Sequence, residues 1–572
     1  CFPDTYEIGM SNLGMRILYG VVNAREDMWC ERVFAPWGDM EEEMRAAGLP
    51  LFALESQDPV KDFDLIAFSV GYEMGYTNLI NMLDLAGVPL HAKDRTGLKH
   101  LVFMGGACAY NPEPLADFVD FFSLGEGEES TVEIVALYRK AKLEDWDKPR
   151  FLREVARIPG VYVPSFYEHR YNEDGTLAAI VPLEGAPARV TKRIVQDLDA
   201  ACYPTAMIVP NTEIVHDRTN LEVMRGCIRG CRFCQAGFTY RPVRSRSPET
   251  LFRQARECLE DSGNHEITLS SLSTSDYPGL REVMELLGDY CPARKINVSV
   301  PSLRADNFSR ELMLKLQTVR KSGLTFAPEA GSQRLRDAIN KNVTEQEILD
   351  TCSIAFSGGW NNVKLYFMLG LPTETDEDVL AIAALVKKIT ALWQEVSPNK
   401  KRGLRVHVAT AFFVPKPFTP FQWEPQITPE EYTRRQRLLK DALFSRSVEY
   451  NWHAPDLSRL EAVLARGDRR LGPVLEEAVR LGCKLDGWDE YFRYDLWLKA
   501  FENCGVDLTR YTTRGFGKDE VLPWSVIDPG VSPAFLWHER EKAYESRVTP
   551  DCRTRCAGCG ANRLLEGGVC NG

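Results

Sequence analysis

The chain has 572 residues, a net charge of −12 and 44% hydrophobic residues, the profile of a globular protein of about three or four domains. The acidic balance argues against broad, non-specific nucleic-acid binding. No apolar run reaches the roughly 18 residues of a membrane span, so none is expected. Sixteen cysteines, thinly spread except for two clusters, point to metal-binding thiols in a reducing, cytoplasmic setting rather than to a disulfide framework. There is no signal peptide. The chain opens at Cys1 within what reads as a strand, without a Met, so a preceding segment is expected.

Residues 1–135 alternate strands with helices. The strands read as Trp29–Trp37, Pro50–Leu54, Asp64–Val70 and Leu101–Met104, and the helices as Asn12–Asn23, Asp39–Ala47 and Tyr76–Ala86. This alternation predicts a Rossmann-like, doubly wound parallel sheet, whose ligands bind beyond the carboxyl ends of the strands. Residues 136–215 read as a connector, with a solvated charged stretch at Lys140–Arg150 and a small β excursion over Gly160–Tyr167 and Leu177–Pro187.

Residues 216–430 repeat strand then helix. Six strands are predicted: Leu221–Arg225, Glu266–Ser271, Ile296–Pro301, Leu324–Pro328, Val363–Leu369 and Arg405–Phe413. The helices between them are Pro248–Asp261, Leu280–Tyr290, Arg310–Val319, Gln333–Phe356 (broken near Asn340) and Asp376–Val396, with Pro429–Ser447 as a sixth. Six such units suit a partial (β/α)6 TIM-type barrel, with chemistry at the carboxyl ends of the strands. Residues 431–572 read as a helix-rich C-terminal region ending in a cysteine cluster.

The chemistry is carried by Cys227, Cys231 and Cys234, in a CxxxCxxC triplet directly after the first barrel strand. Three thiolates at this spacing can hold three irons of a [4Fe–4S] cluster. No fourth cysteine follows nearby, so one iron stays open, as a catalytic metal site requires. A zinc knuckle is the competing reading. Near the C-terminus, Cys552, Cys556 and Cys559 repeat the spacing, and Cys570 offers a fourth ligand. Four thiolates close a site, so an auxiliary [4Fe–4S] cluster and a structural zinc both fit. A disordered, metal-scavenging tail is the bland alternative.

With Phe233 before its last cysteine, the triplet resembles the signature of radical S-adenosylmethionine (SAM) enzymes. The resemblance implies that the open iron binds SAM and that the reduced cluster cleaves it to a 5′-deoxyadenosyl radical. It also implies a reductant of the flavodoxin or ferredoxin type. Carried over by position, it makes Ser270 a contact for the methionine amino group, with Asp276 either sharing that role or capping the next helix. Ser302 and Arg304 would meet the ribose or carboxylate, and Glu329 of Ala327-Pro-Glu-Ala-Gly331 the ribose or amino acid. Gly370 of Gly370-Leu-Pro-Thr-Glu-Thr375 would shape backbone beside the adenine. The arginines of Tyr240-Arg-Pro-Val-Arg-Ser-Arg-Ser247 suit a nucleic-acid backbone, the SAM carboxylate, or ion pairs around the barrel rim.

In the first domain, Ser69 followed by Gly105-Gly106 resembles the SxL…GG pattern of cobalamin-binding domains. No DxHxxG supplies a histidine for cobalt, and packing glycines are the competing reading. Phe2-Pro-Asp-Thr-Tyr-Glu-Ile-Gly-Met-Ser11, Pro415-Lys-Pro-Phe-Thr-Pro-Phe-Gln-Trp423 and Asp486-Gly-Trp-Asp489 make the whole text similar to an uncharacterised bacterial family of B12-binding-type radical SAM proteins. A cobalamin-dependent methyltransferase acting on an unactivated carbon is therefore expected. The alternatives are a methylthiotransferase-like enzyme modifying RNA or protein, and an iron–sulfur electron carrier or scaffold. The substrate class stays open among small molecule, RNA and protein.

Overall fold

A computed structural model describes residues 1–301, 324–568 and 570. The chain divides into two compact units. The first comprises residues 1–217, 461–511 and 517–530, and the second residues 218–460, 512–516 and 531–572.

In the first unit, β1 (Leu65–Ser69), β2 (Leu101–Gly105) and β3 (Phe121–Ser123) form a parallel array, extended by antiparallel β4 (Val161–Tyr162). Every residue of β2 before Gly105 is buried, as in a sheet covered on both faces. Helices Leu13–Asn23, Gly38–Ala47 and Tyr76–Leu85 form where expected. Asn12 caps the first through the Met15 N–H at 2.9 Å, and left-handed Gly48 ends the second.

Trp29–Trp37 and Pro50–Leu54 are not strands. Each makes one isolated bridge, Phe2 with Phe34 and Phe52 with Pro59. Pro36, Pro50 and Pro59 lack the N–H donors a ladder needs. Lys140–Arg150 is not a plain solvated stretch: helix Gly127–Leu143 runs into it and helix Lys148–Val155 begins in it. The β excursion is an antiparallel hairpin, Tyr167–Tyr171 with Leu177–Pro182.

Buried polar contacts tie residues 461–511 to the first turn of helix Tyr76–Leu85 and to the segment after β2. Asp486 accepts from Thr77 Oγ1 at 2.6 Å and from the Trp497 indole at 2.9 Å. The Leu485 N–H donates to Asn78 at 2.6 Å. Asn111 Nδ2 donates to the carbonyls of Ala465 and Gly467 at 2.9 and 3.0 Å. Arg469 reaches Glu113 at 2.6 Å.

Among the described residues, the second unit holds two parallel arrays of three and four strands, besides a short antiparallel pair of Met224–Arg225 with Arg244–Ser245. One is β7 (Asn297–Ser299), β6 (Glu266–Ser270) and β5 (Thr219–Glu222) in spatial order. The other runs β8 (Leu324–Glu329), β9 (Asn362–Leu369), β10 (Arg405–Phe412) and β11 (Val448–Trp452). All six predicted strands are present, and β11 is an unpredicted seventh at the edge.

Burial alternates along β9 and β10. Val363, Leu365, Phe367 and Leu369, with Val406, Val408 and Phe412, are buried in one core with Ile348, Val379, Ile382, Val386 and Trp393 of the flanking helices. The opposite face carries Lys364, Tyr366 and His407 and is not packed this way. Helix Glu345–Ser357 starts at a capping box of Thr344 and Glu347, and helix Asp376–Val396 at one of Thr375 and Asp378. The predicted break near Asn340 separates Gln333–Ala338 from Glu345–Ser357. The predicted helix Arg310–Val319 lies outside the described residues. Among the described residues, no helix is long and apolar enough to cross a membrane.

Burial raises the Asp486 carboxyl to about 6, against two neutral donors that favour its ionised form. A carboxyl protonated more readily when folded than unfolded favours the folded state most below its unfolded value, near 4. That advantage is lost as pH rises towards 6. We predict that Asp486→Asn is more stable than the parent above pH 7, by roughly 1–3 kcal/mol. The gap should shrink towards pH 4. Calorimetric melting of both proteins across that range checks it, and a gap independent of pH contradicts it.

Candidate active site

The cysteine loop lies between β5 and the short helix Ala236–Thr239. Its intervening residues hold it in place. Arg232 is fully buried and donates to the carbonyls of Asp337, Ala338 and Arg547 at 3.2, 2.8 and 2.7 Å, and to Glu539 at 3.1 Å. Arg229 grips Asp276 through two nitrogens at 2.6 and 2.9 Å. Asn340, at φ +53, donates to the Gly230 carbonyl at 3.0 Å and accepts the Thr549 N–H at 2.7 Å. Phe233 is partly buried against Ala330, Leu335, Ile339, Leu371, Phe413 and Phe421, so it anchors the loop to the carboxyl ends of the barrel strands.

The three thiols are crowded. Burial and the neighbouring Cys231 raise Cys227 to about 11 and Cys234 to about 12. Backbone N–H groups of Arg229 and Gly237 oppose this by facing the two sulfurs. Among the described residues, no three His, Cys, Asp or Glu side chains converge as on a single metal ion. A cubic cluster has a different requirement, because its thiolates sit at separate iron corners. The loop offers what such a cluster needs: three neighbouring sulfurs, backbone donors beside them, and Arg241 and Lys341 as nearby positive charges.

The other predicted contacts separate into groups. Ser270 ends β6. Glu329 follows a register shift in β8, at φ +66, and pairs with Lys341 at 3.1 Å. Lys341 also faces Cys234, so Glu329 stands close to the cysteine loop. Gly370 takes φ +83 and donates to Glu374 at 2.7 Å. Burial raises the Glu374 carboxyl to about 7, although Arg435 lies at 2.7 Å. Ser302 and Arg304 lie outside the described residues. Gly331 serves packing: a Cβ there would lie 2.2 Å from the Ile382 nitrogen.

Asp276 neither caps helix Leu280–Tyr290, whose N-cap is Gly279, nor stands free. It is buried against Arg229, Arg553 at 2.8 Å and Ser273 at 2.6 Å. Arg241, Arg244 and Arg246 are buried too, so they form no basic surface for nucleic acid. Arg246 reaches the Glu222 carboxylate at 3.4 Å and its carbonyl at 3.1 Å, the ion-pair reading of that stretch. No sequence signal separates such internal arginines from surface ones.

The C-terminal segment is not a disordered tail. The Cys552 N–H donates to the Ile228 carbonyl at 3.2 Å, and Ser532 N–H to the Cys559 carbonyl at 3.0 Å. Helix Pro533–Tyr544 carries Glu539, the partner of Arg232.

In the first unit, the positions assigned to cobalamin are used by the chain itself. The Ser69 N–H donates to the Cys1 carbonyl at 3.0 Å. Gly106 lies at φ +98, and a Cβ there would sit 2.5 Å from the Val70 carbonyl oxygen. Gly105 faces the Ser123 carbonyl at 3.6 Å from where a Cβ would be. This arrangement needs no corrin ring to explain it.

Residues 14–164 match the family described as "Radical SAM proteins, N-terminal", and residues 221–386 match the radical SAM superfamily. The chain carries radical SAM domains over these residues. An uncharacterized protein of Methanocaldococcus jannaschii is 28% identical over 88% of this chain and 96% of its own length. A tRNA-2-methylthio-N(6)-dimethylallyladenosine synthase of Ehrlichia canis is 27% identical over 40% of this chain and 52% of its own length. Two solved radical SAM proteins are similar in fold. The methyltransferase TsrM of Kitasatospora setae, with cobalamin and a [4Fe–4S] cluster bound, has a TM-score of 0.49 at 14% identity, covering 73% of this chain and 75% of that one. The cobalamin-dependent enzyme OxsB has a TM-score of 0.45 at 11% identity, covering 86% and 68%.

As a radical SAM chain, the protein implies a [4Fe–4S] cluster and SAM as cofactors. Arg232 is central to the loop that would hold the cluster. Removing it leaves Glu539 buried with less compensation, the costly way to break a buried pair. We predict that Arg232→Ala lowers stability by roughly 3 kcal/mol, read as a lower melting temperature in calorimetry of the metal-free chain. A melting temperature unchanged within about 1 °C would show the pair to be dispensable.

Proposed function

We propose that this radical SAM enzyme uses Cys227, Cys231 and Cys234 to hold a [4Fe–4S] cluster with one open iron, and directs the radical made from SAM at an unactivated carbon of its substrate. The observation that carries the reading is the loop itself: three thiols within eight residues after β5, with Phe233 packed against the cluster of Ala330, Leu371 and Phe413 beyond the strand ends. Held by Cys227, Cys231 and Cys234, a reduced cluster would supply the electron that splits SAM into methionine and the 5′-deoxyadenosyl radical. The chain's residues do the rest. Arg232 and Asn340 hold the loop in register. Glu329, paired with Lys341, and Ser270, at the end of β6, would receive the polar groups of SAM, and the left-handed turn at Gly370 would shape backbone for it.

Methyl transfer with cobalamin is the finer reading. The parallel three-stranded sheet of the first unit supports it, but the packing roles of Ser69, Gly105 and Gly106 do not add to it. A second reading, methylthio transfer, is favoured by the second thiol group bonded to the cysteine loop through Cys552 and Ile228. An electron donor of the flavodoxin or ferredoxin type completes either scheme. A cytoplasmic site of action is supported by the grouping of cysteines at metal-ligand spacing.

Changing all three loop cysteines to Ala should abolish 5′-deoxyadenosine formation with dithionite and SAM. Undiminished product would sink the proposal. Cobalt in the purified protein, with a cobalamin absorption spectrum, is the result expected for methyl transfer. Cobalt-free protein that still makes 5′-deoxyadenosine would overturn that finer reading alone.

A further inference from the structure

The C-terminal thiols are not remote from the cysteine loop. Cys552, Cys556 and Cys559 fall within eight residues of one another, and Cys570 follows eleven later. Arg241 interacts with both thiol groups. It is buried, its Nε and Nη2 donate to the carbonyls of Gly237 and Arg229 at 2.9 and 2.7 Å, and Cys559, Cys552 and Cys227 all favour its charged form. Two further ties hold the groups together. The Cys552 N–H bonds to the carbonyl of Ile228, the residue after Cys227. Asp276 accepts from Arg229 of the first loop and from Arg553 of the second.

The second group is graded from inside to outside. Cys552 and Cys559 are half-buried beside Arg241, while Cys556 and Cys570 are exposed. From Asp551 to Cys570, Arg553, Arg555 and Arg563 stand against Asp551 and Glu566, a small positive excess on a chain of net charge −12. A docking acidic carrier would be steered towards it.

Building on the radical SAM reading, we propose that Cys552, Cys556, Cys559 and Cys570 hold a second, closed iron–sulfur cluster that is the electron entry port of the first. The x3, x2 spacing is that of the first group, so the loop has the same reach, and a fourth thiolate closes it. One electron enters at the exposed edge from a low-potential one-electron carrier and passes across the Cys552–Ile228 hydrogen bond and Arg241. It is consumed when the sulfonium S–C5′ bond of SAM breaks. Of the three electrons then present, two become a lone pair on the methionine sulfur and one stays on C5′, which takes a hydrogen atom from substrate. One electron enters for each SAM cleaved.

The test uses the full chain, reconstituted anaerobically with iron and sulfide. About eight irons and eight sulfides per chain are expected, falling to about four of each in Cys552→Ala/Cys556→Ala, because each cubic cluster holds four. Cys556→Ser alone, at an exposed position, guards against a variant that fails to fold. On reduction, the parent should show an EPR signal broadened by coupling between two paramagnets, and the variants a narrow one. The ratio of flavodoxin-driven to dithionite-driven 5′-deoxyadenosine formation should fall at least roughly tenfold in the variants. A variant that keeps eight irons, a parent with four irons and one zinc, or an unchanged donor ratio would overturn the port. Dithionite-driven cleavage by the parent reads the first cluster separately, so failure of either claim is distinguishable.

Discussion

Three sulfurs that must all carry negative charge do not gather in a buried loop without compensation. Most of the second unit's architecture follows from meeting that requirement. The loop from Cys227 to Cys234 is fixed by arginines whose charges are themselves matched, Arg232 by Glu539 and Arg229 by Asp276. Arg241 is the exception that makes chemical sense, because the groups facing its charge are thiols. Buried ion pairs are weak sources of stability, but breaking one is costly. Their value here is positional: they fix where three cysteines lie relative to the barrel.

The C-terminal segment then reads as part of the active-site wall. Helix Pro533–Tyr544 supplies Glu539, and the turn at Asp551–Arg553 supplies charges to Arg229 and Asp276. Thr549 closes the set through Asn340 and Glu539. Within the first unit the same economy applies to glycine. Gly106 and Gly125 allow backbone to approach backbone, and the first turn of helix Tyr76–Leu85 and the segment after β2 are gripped by residues 461–488.

The parts legible from sequence were those with strong period and clear boundaries. Val363–Leu369 alternates buried and open residues, and Asp376–Val396 follows a Thr-x-x-Asp box, so both emerge where expected. β11 was missed because Glu449 and Asn451 are polar and it is an edge strand, recruited by its neighbour β10. Phe121–Ser123 is too short to announce itself, and its place is decided by pairing with β2. The triplet's place after β5 was readable from spacing and strand order. The roles of Asp276, Arg232 and Arg241 were not, because each depends on partners far away in the chain. Asp276 suited a cap by local rules, and only the folded chain brings Arg229 and Arg553 to it.

The central claim is that the loop leaves one iron open to SAM. Electron–nuclear double resonance on the reduced, reconstituted chain tests it directly, using SAM labelled with 15N in the amino group and 17O in the carboxylate. The account predicts couplings from both labels to the cluster, lost when Cys227, Cys231 and Cys234 are replaced. A cluster signal from the intact loop that shows no coupling and does not change on adding SAM would contradict it.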